Sequence, residues 1–258
     1  LKCKVIDRIP VSSKIKAQVP CAAKSALAKE FLISKGYKDI TVTGVGLDTE
    51  RFDVREEIDE KTKSIIDDLS GCSVLLYIGQ IEQRRNIKFL IKLACEAVKV
   101  DPKYRLLLIG RGKNEKYVQE CHTLIKELNL DEYVYWVEKL NQSQLPYIYE
   151  IARVFLLSTS YEIFGMVMME AMYFKVPVIT TYTGGSSTVI KNAENSFIEK
   201  LDIDKWLALI EKLNTNEDYR KKIGNAARQE IKDNFTWISV AEKMMEVYKK
   251  RLESGETS

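Results

Sequence analysis

The sequence predicts an α/β protein built on a doubly wound, Rossmann-like parallel sheet. From residue 72 onward, short apolar runs recur at intervals of about twenty to thirty residues, with segments of helical spacing between most of them. In one such segment Ile87, Leu90, Ile91 and Ala94 share a face. Continuous apolar strands that alternate with amphipathic helices indicate a parallel sheet covered on both sides. The predicted strands are Val74–Ile78, Leu106–Ile109, Val134–Val137, Val154–Leu157, Val178–Thr180 and Phe197–Ile198.

The two ends of the chain differ from this central region. Residues 1–52 contain a short strand, a helix ending near Gly36 and another strand, which is the pattern of a preceding αβ layer followed by a linker. Residues 53–235 form the predicted Rossmann-like domain, and residues 236–258 form an amphipathic helix. Because the chain begins with Leu1 and not with methionine, we interpret it as part of a longer protein.

Composition and charge exclude several classes of protein. With 45% hydrophobic and 30% charged residues over 258 positions, the chain has the composition of a globular protein with a sizeable core. Its net charge of +3 is too small to indicate nucleic-acid binding, and aromatic residues do not interleave with its basic runs. No apolar run is long enough to span a bilayer, and no secretory signal is recognised. We therefore expect a cytoplasmic protein without a nucleic-acid partner.

Cysteine, histidine and aspartate usage argues against disulfide, zinc and metal chemistry. The five cysteines are odd in number and never form a C-x-x-C pair, which is typical of buried thiols in a reducing compartment. His122 is the single histidine and lies in a helical segment, so we interpret it as structural or exposed. Asp202 and Asp204 resemble a metal-binding pair, but they precede a helical segment and helix capping explains them better.

Glycine and basic residues follow the first two predicted strands, where doubly wound folds bind their ligands. Gly79 allows a sharp turn, and Arg84 and Arg85 come just before a helix that starts near Asn86. Two guanidiniums beside the free N–H groups of a helix suit a phosphate or diphosphate, although a solvated basic loop fits the same residues. The Gly110–Arg111 pair after the second strand fits an anion contact or a simple surface turn.

A pair of glutamates marks the loop and helix after the fourth predicted strand. Glu162 lies in the loop, and Gly165 opens a helix whose first free N–H groups could receive a phosphate. Glu170 follows two turns into that helix, among methionines that we assign to the core. A buried carboxylate needs partners, which a buried lysine or arginine could supply, as could two adjacent sugar hydroxyls. A further glycine pair, Gly184–Gly185, follows the next strand.

Four segments together resemble the C-terminal half of the retaining GT-B glycosyltransferases of family 4, also called group 1. The resemblance runs from about residue 18 to the end, in the family's order. The most specific match is SYEIFGMVMMEAMYFKVPVITTYTGG, which is similar to the family's E-x7-E segment. The other three are VTGVGLDTERF, similar to the interdomain linker, YIGQIEQRRNIKFLI, similar to the donor loop, and LLLIGRGKN, similar to a glycine turn.

The resemblance implies a role for each matching residue. It places Glu162 beside the transferred sugar as the catalytic residue, Glu170 on the ribose hydroxyls of the donor, and Leu140 near the base. Arg85 stands in the place of a diphosphate-binding lysine, and Gln80 in the place of an arginine. The expected donor-binding residues are Gly79, Gln80, Arg84, Arg85, Asn86, Gly110, Arg111, Leu140, Ile163, Phe164, Gly165, Met166, Val167 and Glu170.

Four positions depart from the family's pattern, and one of them, Arg85, retains the positive charge with a different geometry. Gln80 removes one positive charge from the expected diphosphate site, which Arg84 or Arg111 could restore. Glu138 and Lys175 each stand where the family usually has glycine.

The implied function is transfer of a sugar from a nucleotide-diphosphate sugar to an acceptor, with retention of anomeric configuration and no metal cofactor. Polysaccharide or glycolipid synthesis is the implied pathway. A glycan or lipid-linked acceptor would bind through the N-terminal domain, so this chain alone is expected to be inactive. Peripheral contact with the inner face of the membrane is also implied. A non-catalytic nucleotide-sugar-binding module is the alternative, and GT-B epimerases and phosphorylases are a third possibility.

Overall fold

The computed structural model describes residues 11–52 and 54–255, so Asp53, Cys3 and the other terminal positions lie outside the described part. A short helix α1 (Ser13–Gln18) precedes a small unit of two parallel strands, β1 (Cys21–Ala23) and β2 (Ile40–Val42), which are joined by helix α2 (Ala26–Ser34). This is the strand, helix and strand predicted for the first fifty residues.

A parallel sheet of six strands forms the centre of the molecule. Its strand order is β5-β4-β3-β6-β7-β8. Strands β4 and β5 therefore lie on one side of β3, and strands β6, β7 and β8 lie on the other side. The strands are β3 (Ser73–Ile78), β4 (Tyr104–Ile109), β5 (Val134–Val137), β6 (Ala152–Leu157), β7 (Val178–Thr180) and β8 (Phe197–Ile198). All six predicted strands are therefore present, and the predicted doubly wound α/β class is confirmed.

Amphipathic helices pack their apolar faces against the sheet, as the helix Ile87–Val100 illustrates. The four residues predicted to share a face, Ile87, Leu90, Ile91 and Ala94, are all buried. The helices after the linker are α3 (Glu60–Asp68), α4 (Ile87–Val100), α5 (Glu115–Glu127), α6 (Leu145–Ile151), α7 (Met166–Tyr173), α8 (Ser186–Val189), α9 (Ile203–Thr215), α10 (Glu217–Asn234) and α11 (Trp237–Gly255). No helix in the described ranges is both long and apolar enough to cross a membrane.

The linker after β2 is fastened to the start of the last helix, α11. The Leu47 N–H donates to the Phe235 carbonyl at 2.7 Å, and Leu47 forms a parallel bridge with Thr236. Along α11, Val240 and Val247 are buried whereas Tyr248 is exposed. The apolar stripe of this helix is thus only partly covered.

The aspartate pair before α9 caps the helix. Asp202 is the N-cap residue, and its side chain accepts a hydrogen bond from the Lys205 N–H at 3.2 Å. No group of three or more metal-binding side chains occurs among residues 11–52 and 54–255. The capping interpretation of Asp202 therefore agrees with the structure.

Removing this cap gives a testable change in stability. We expect Asp202→Ala to lower the free energy of unfolding by about 1 kcal/mol, because it deletes the acceptor for a free helix N–H. Asp202→Asn retains an acceptor oxygen and should retain most of that stability. Urea unfolding of both variants measures the difference, and equal losses for the two substitutions would contradict the capping role.

Cysteines 21, 72, 95 and 121 are free thiols in the structure. Cys121 is fully buried, and burial raises the pKa of its thiol to about 11. The other three are half-buried, so the expectation of buried thiols holds fully for Cys121 alone among the described cysteines.

Candidate functional site

Two glycine turns meet at the carboxyl edge of the sheet. The Gly79 N–H donates to the Ile109 carbonyl and the Gly110 N–H to the Val137 carbonyl, each at 2.9 Å. A Cβ atom on Gly110 would lie 1.7 Å from the Gly79 carbonyl oxygen, and both glycines have a positive φ. The backbones are therefore in direct contact, and neither turn is a free surface loop.

A cleft of about 360 Å³ opens above these turns. It brings together five of the predicted donor-binding residues and Glu138; the five are Gly79, Gln80, Gly110, Arg111 and Leu140. Arg111 and Glu138 are largely exposed and form an ion pair at 3.5 Å. Glu162 and Glu170 do not line this cleft. The predicted residues thus fall into two neighbouring groups.

The loop after β3 is tied to the loop after β6, its neighbour in the sheet. The Ser160 N–H donates to the Arg84 carbonyl at 2.7 Å, and Asn86 Nδ2 donates to the Ser158 carbonyl at 2.7 Å. Arg85 Nη1 forms an ion pair with Glu162 Oε2, and these side chains are only 13% and 17% exposed. The structure therefore brings the predicted basic loop and the predicted catalytic glutamate together.

The basic loop is not a simple solvated loop, because its two guanidiniums and the first helix N–H are engaged within the chain. Arg84 donates to the Tyr161 carbonyl and pairs with Glu82, while Arg85 faces Glu162. The first N–H of α4, that of Ile87, donates to the Tyr117 hydroxyl at 3.1 Å. The acceptors Tyr161 and Glu162 come from the loop after β6 and Tyr117 comes from α5, and sequence spacing reveals neither neighbour.

The start of α7 is held by backbone contacts and has no side-chain cap. Gly165 is the N-cap residue with a φ of +83°, a conformation that favours glycine, and no side chain accepts from the first turn. A Cβ atom on Gly185 would lie only 1.6 Å from the Phe164 carbonyl oxygen. The glycine pair after β7 thus fixes the Glu162 loop, and the uncapped N-terminus can receive an anion.

The residues around this N-terminus differ in exposure. Ile163 is largely exposed, Phe164 is buried, and Met166 and Val167 are half-buried against the core. Met169 and Met172 are fully buried, as predicted for the methionine run.

Glu170 is buried and satisfied within the chain. It is 4% exposed, and one carboxylate oxygen pairs with Arg51 while the other accepts from the Tyr149 hydroxyl at 2.9 Å. Burial, reinforced by the charge of Glu170, raises the pKa of Tyr149 well above its ordinary value. An arginine partner, one of the alternatives for this carboxylate, is therefore present, although the Arg51 side chain is half-buried and 30% exposed. Sequence reasoning missed both Arg51 and Tyr149, because no local spacing connects them to Glu170.

Two further expectations can be compared with the structure. His122 is exposed and stacks on Trp136 with ring centroids 4.4 Å apart, which agrees with the expectation of a structural or exposed residue. Lys175 has a φ of +61°, in the left-handed region where glycine is favoured. This left-handed conformation explains why the family that the sequence resembles usually has glycine at this position.

The sequence matches a known protein family. The profile of a family described as "Glycosyl transferases group 1" matches residues 59–230, which is more than half of the chain. The chain belongs to this family.

This group 1 chain is similar to a glycosyltransferase of capsule synthesis and to a spore coat protein. It is 28% identical to the capsular polysaccharide biosynthesis glycosyltransferase CapM of Staphylococcus aureus, over 97% of this chain and 63% of CapM. It is 27% identical to spore coat protein SA of Bacillus subtilis (strain 168), over 70% of this chain and 50% of that protein. The chain thus spans one half to two thirds of the length of these curated relatives.

A solved structure supports the fold of this group 1 chain. The Anabaena protein Alr3699/HepE, in complex with UDP-glucose, superimposes with a TM-score of 0.75 at 17% identity, covering 88% of this chain and 63% of that one. The fold is that of GT-B glycosyltransferases, and sugar transfer is the chemistry of the family.

Proposed function

We propose that this chain binds the nucleotide-diphosphate sugar for a retaining glycosyltransferase. The observation that carries the proposal is the uncapped N-terminus of α7, which lies between Glu162 and Glu170 at the carboxyl edge of a parallel sheet. Ligands of doubly wound folds bind at this edge, and helix N-termini bind phosphate. Family membership and the UDP-glucose bound to HepE support the same ligand class.

Each part of the site suits one part of such a donor. The N–H groups of Phe164–Val167 would face the diphosphate or sugar, and Arg85 would contribute positive charge. Glu170 would accept from the ribose hydroxyls, because an ionised carboxylate has about four lone-pair sites and its two partners in the chain use only part of them. The base would occupy the cleft beside Leu140.

The chemistry required of the site is stabilisation of a departing diphosphate and of an oxocarbenium-like sugar. Arg85 and the helix N-terminus supply charge and N–H donors for the first without a metal ion. Glu162 would lie beside the sugar. We propose attack on the same face that the phosphate leaves, assisted by that phosphate, so that no nucleophile of the protein is needed.

The acceptor of the sugar would bind outside the residues described so far. We propose a glycan or lipid-linked acceptor, bound through a further N-terminal domain, in polysaccharide or glycolipid synthesis at the cytoplasmic side of a membrane. The name of CapM supports this pathway class. Without that domain, this chain would bind donor but transfer little or no sugar.

A second candidate is a nucleotide-sugar-binding module without catalysis. It is favoured by Gln80, which lacks the charge of an arginine, and by the engagement of Arg85 with Glu162. Donor binding is common to both candidates, and sugar transfer by the full-length protein separates them.

Calorimetric titration with UDP, GDP, ADP and their glucose conjugates tests the proposal. We expect saturable binding of one base, weakened about tenfold or more by Glu170→Gln, since hydrogen bonds to charged groups contribute about 1.5–3 kcal/mol. Glu150→Gln is the matched control, because Glu150 is an exposed glutamate paired with Arg55. No binding to the folded chain, or equal losses in both variants, would contradict the proposed donor site.

A further inference from the structure

Arg51 is a charged side chain that the linker contributes to the site. It lies in a 3-10 turn, Glu50–Phe52, and its guanidinium forms an ion pair with Glu170 Oε1. The Tyr149 hydroxyl takes the other oxygen, Oε2, at 2.9 Å. With one partner on each oxygen, both the position and the plane of the carboxylate are fixed.

Aromatic rings hold Arg51 itself in place. Its guanidinium lies 4.6 Å from the centre of the Phe52 ring. Phe52 in turn packs on Tyr173 and Phe174, with ring centroids 5.4 and 5.0 Å apart, respectively. Such contacts restrict the rotamers of a long side chain, so the guanidinium presents a fixed fork to the carboxylate.

We propose that Arg51 is a positioning residue for ribose recognition, an inference that rests on the function proposed above. It holds the Glu170 carboxylate in a fixed orientation, so that the free acceptor sites on Oε1 and Oε2 meet two adjacent ribose hydroxyls. Without Arg51, the buried carboxylate loses its counter-charge and its partner on Oε1, and it turns away from that orientation. This change removes acceptor capacity from the ribose site.

The test compares a nucleotide diphosphate with its 2′,3′-dideoxy analogue, using the base that the chain binds. We expect the wild-type chain to prefer the ribonucleotide about tenfold or more. Arg51→Met should reduce that preference to about twofold or less, as Glu170→Gln does, while the affinity for the dideoxy analogue stays within about twofold of wild type. If Arg51 had only a structural role, Arg51→Met would lower the affinity for both nucleotides by the same factor.

Two more variants complete the design. Arg51→Lys retains a cation, is expected to fold, and should restore part of the ribose preference. Arg55→Met removes a surface arginine from the same linker, paired with Glu150 at 3.1 Å, and should leave the preference unchanged. Thermal unfolding of each variant establishes that it is folded.

The outcomes separate this inference from the proposed function. If the wild-type chain prefers the ribonucleotide and folded Arg51→Met keeps the full preference, the positioning role is wrong and the donor site stands. If the wild-type chain binds the nucleotide without any ribose preference, the ribose contact of Glu170 and the role of Arg51 both fail. If it binds no nucleotide diphosphate, the proposed function fails as well.

Discussion

Gly185→Ala is expected to lower the free energy of unfolding by about 3 kcal/mol and to abolish measurable donor binding. Gly185 has a φ of −70°, which alanine adopts freely, so backbone strain plays no part. The added methyl group would instead lie 1.6 Å from the Phe164 carbonyl oxygen, which is backbone and cannot rotate away. The loop from Glu162 to Gly165 must therefore shift. Urea unfolding and calorimetry with the preferred nucleotide measure the two effects.

Gly71→Ala is the matched control for that substitution. Gly71 has a φ of +74°, but no atom lies within 4 Å of the position that its Cβ would take. We expect it to cost about 1–2 kcal/mol through backbone strain alone and to leave nucleotide affinity unchanged. Normal donor binding by folded Gly185→Ala would show that the contact between the β6 and β7 loops does not determine the site.

Opposite substitutions of the Arg85–Glu162 pair are expected to move nucleotide affinity in opposite directions. Arg85→Met removes the charge proposed for the diphosphate, and UDP, GDP or ADP, whichever binds, should lose about tenfold or more. Glu162→Gln frees Arg85 from its carboxylate partner, so the same nucleotide without a sugar should bind at least as tightly as to the wild-type chain. Calorimetric titration of both variants with that nucleotide measures the two changes in affinity.

Stability should fall in both of these variants, because each leaves a nearly buried charge without its partner. Breaking a buried pair costs about 3–5 kcal/mol, and the low end applies to side chains that retain some exposure. Arg111→Met is the control for the stability measurement alone, because Arg111 and Glu138 form an exposed pair with little effect on folding. A tenfold loss of diphosphate affinity in Glu162→Gln would contradict competition between Glu162 and the phosphate for Arg85.

The parts of the structure that depend on local periodicity could be predicted from the sequence. The strands Val134–Val137, Val178–Thr180 and Phe197–Ile198 match the structure at both ends. Burial of whole strands leaves an uninterrupted apolar run, and turns at their ends need glycine or polar residues, so both signals lie within a few positions of each other.

The partners of the two glutamates could not be predicted in the same way. Arg51 and Glu170 lie 119 positions apart, and Arg85 and Glu162 lie 77 apart. Whether a guanidinium faces solvent or a carboxylate depends on which loops the sheet order makes neighbours. Glu170 illustrates the consequence: its expected burial called for a basic partner or ligand hydroxyls, but the sequence did not identify Arg51 and Tyr149 as the partners.

Amide hydrogen exchange with and without a saturating nucleotide-diphosphate sugar tests the donor site most directly. The N–H groups of Met166 and Val167 begin a helix without a side-chain cap, so they should exchange rapidly in the free chain and slow markedly on binding. Protection is also expected in residues 79–86. Residues 70–73, at the opposite edge of the sheet, should not change. Protection at that opposite edge without any at 162–167, or none anywhere at saturation, would contradict a donor site at the N-terminus of α7.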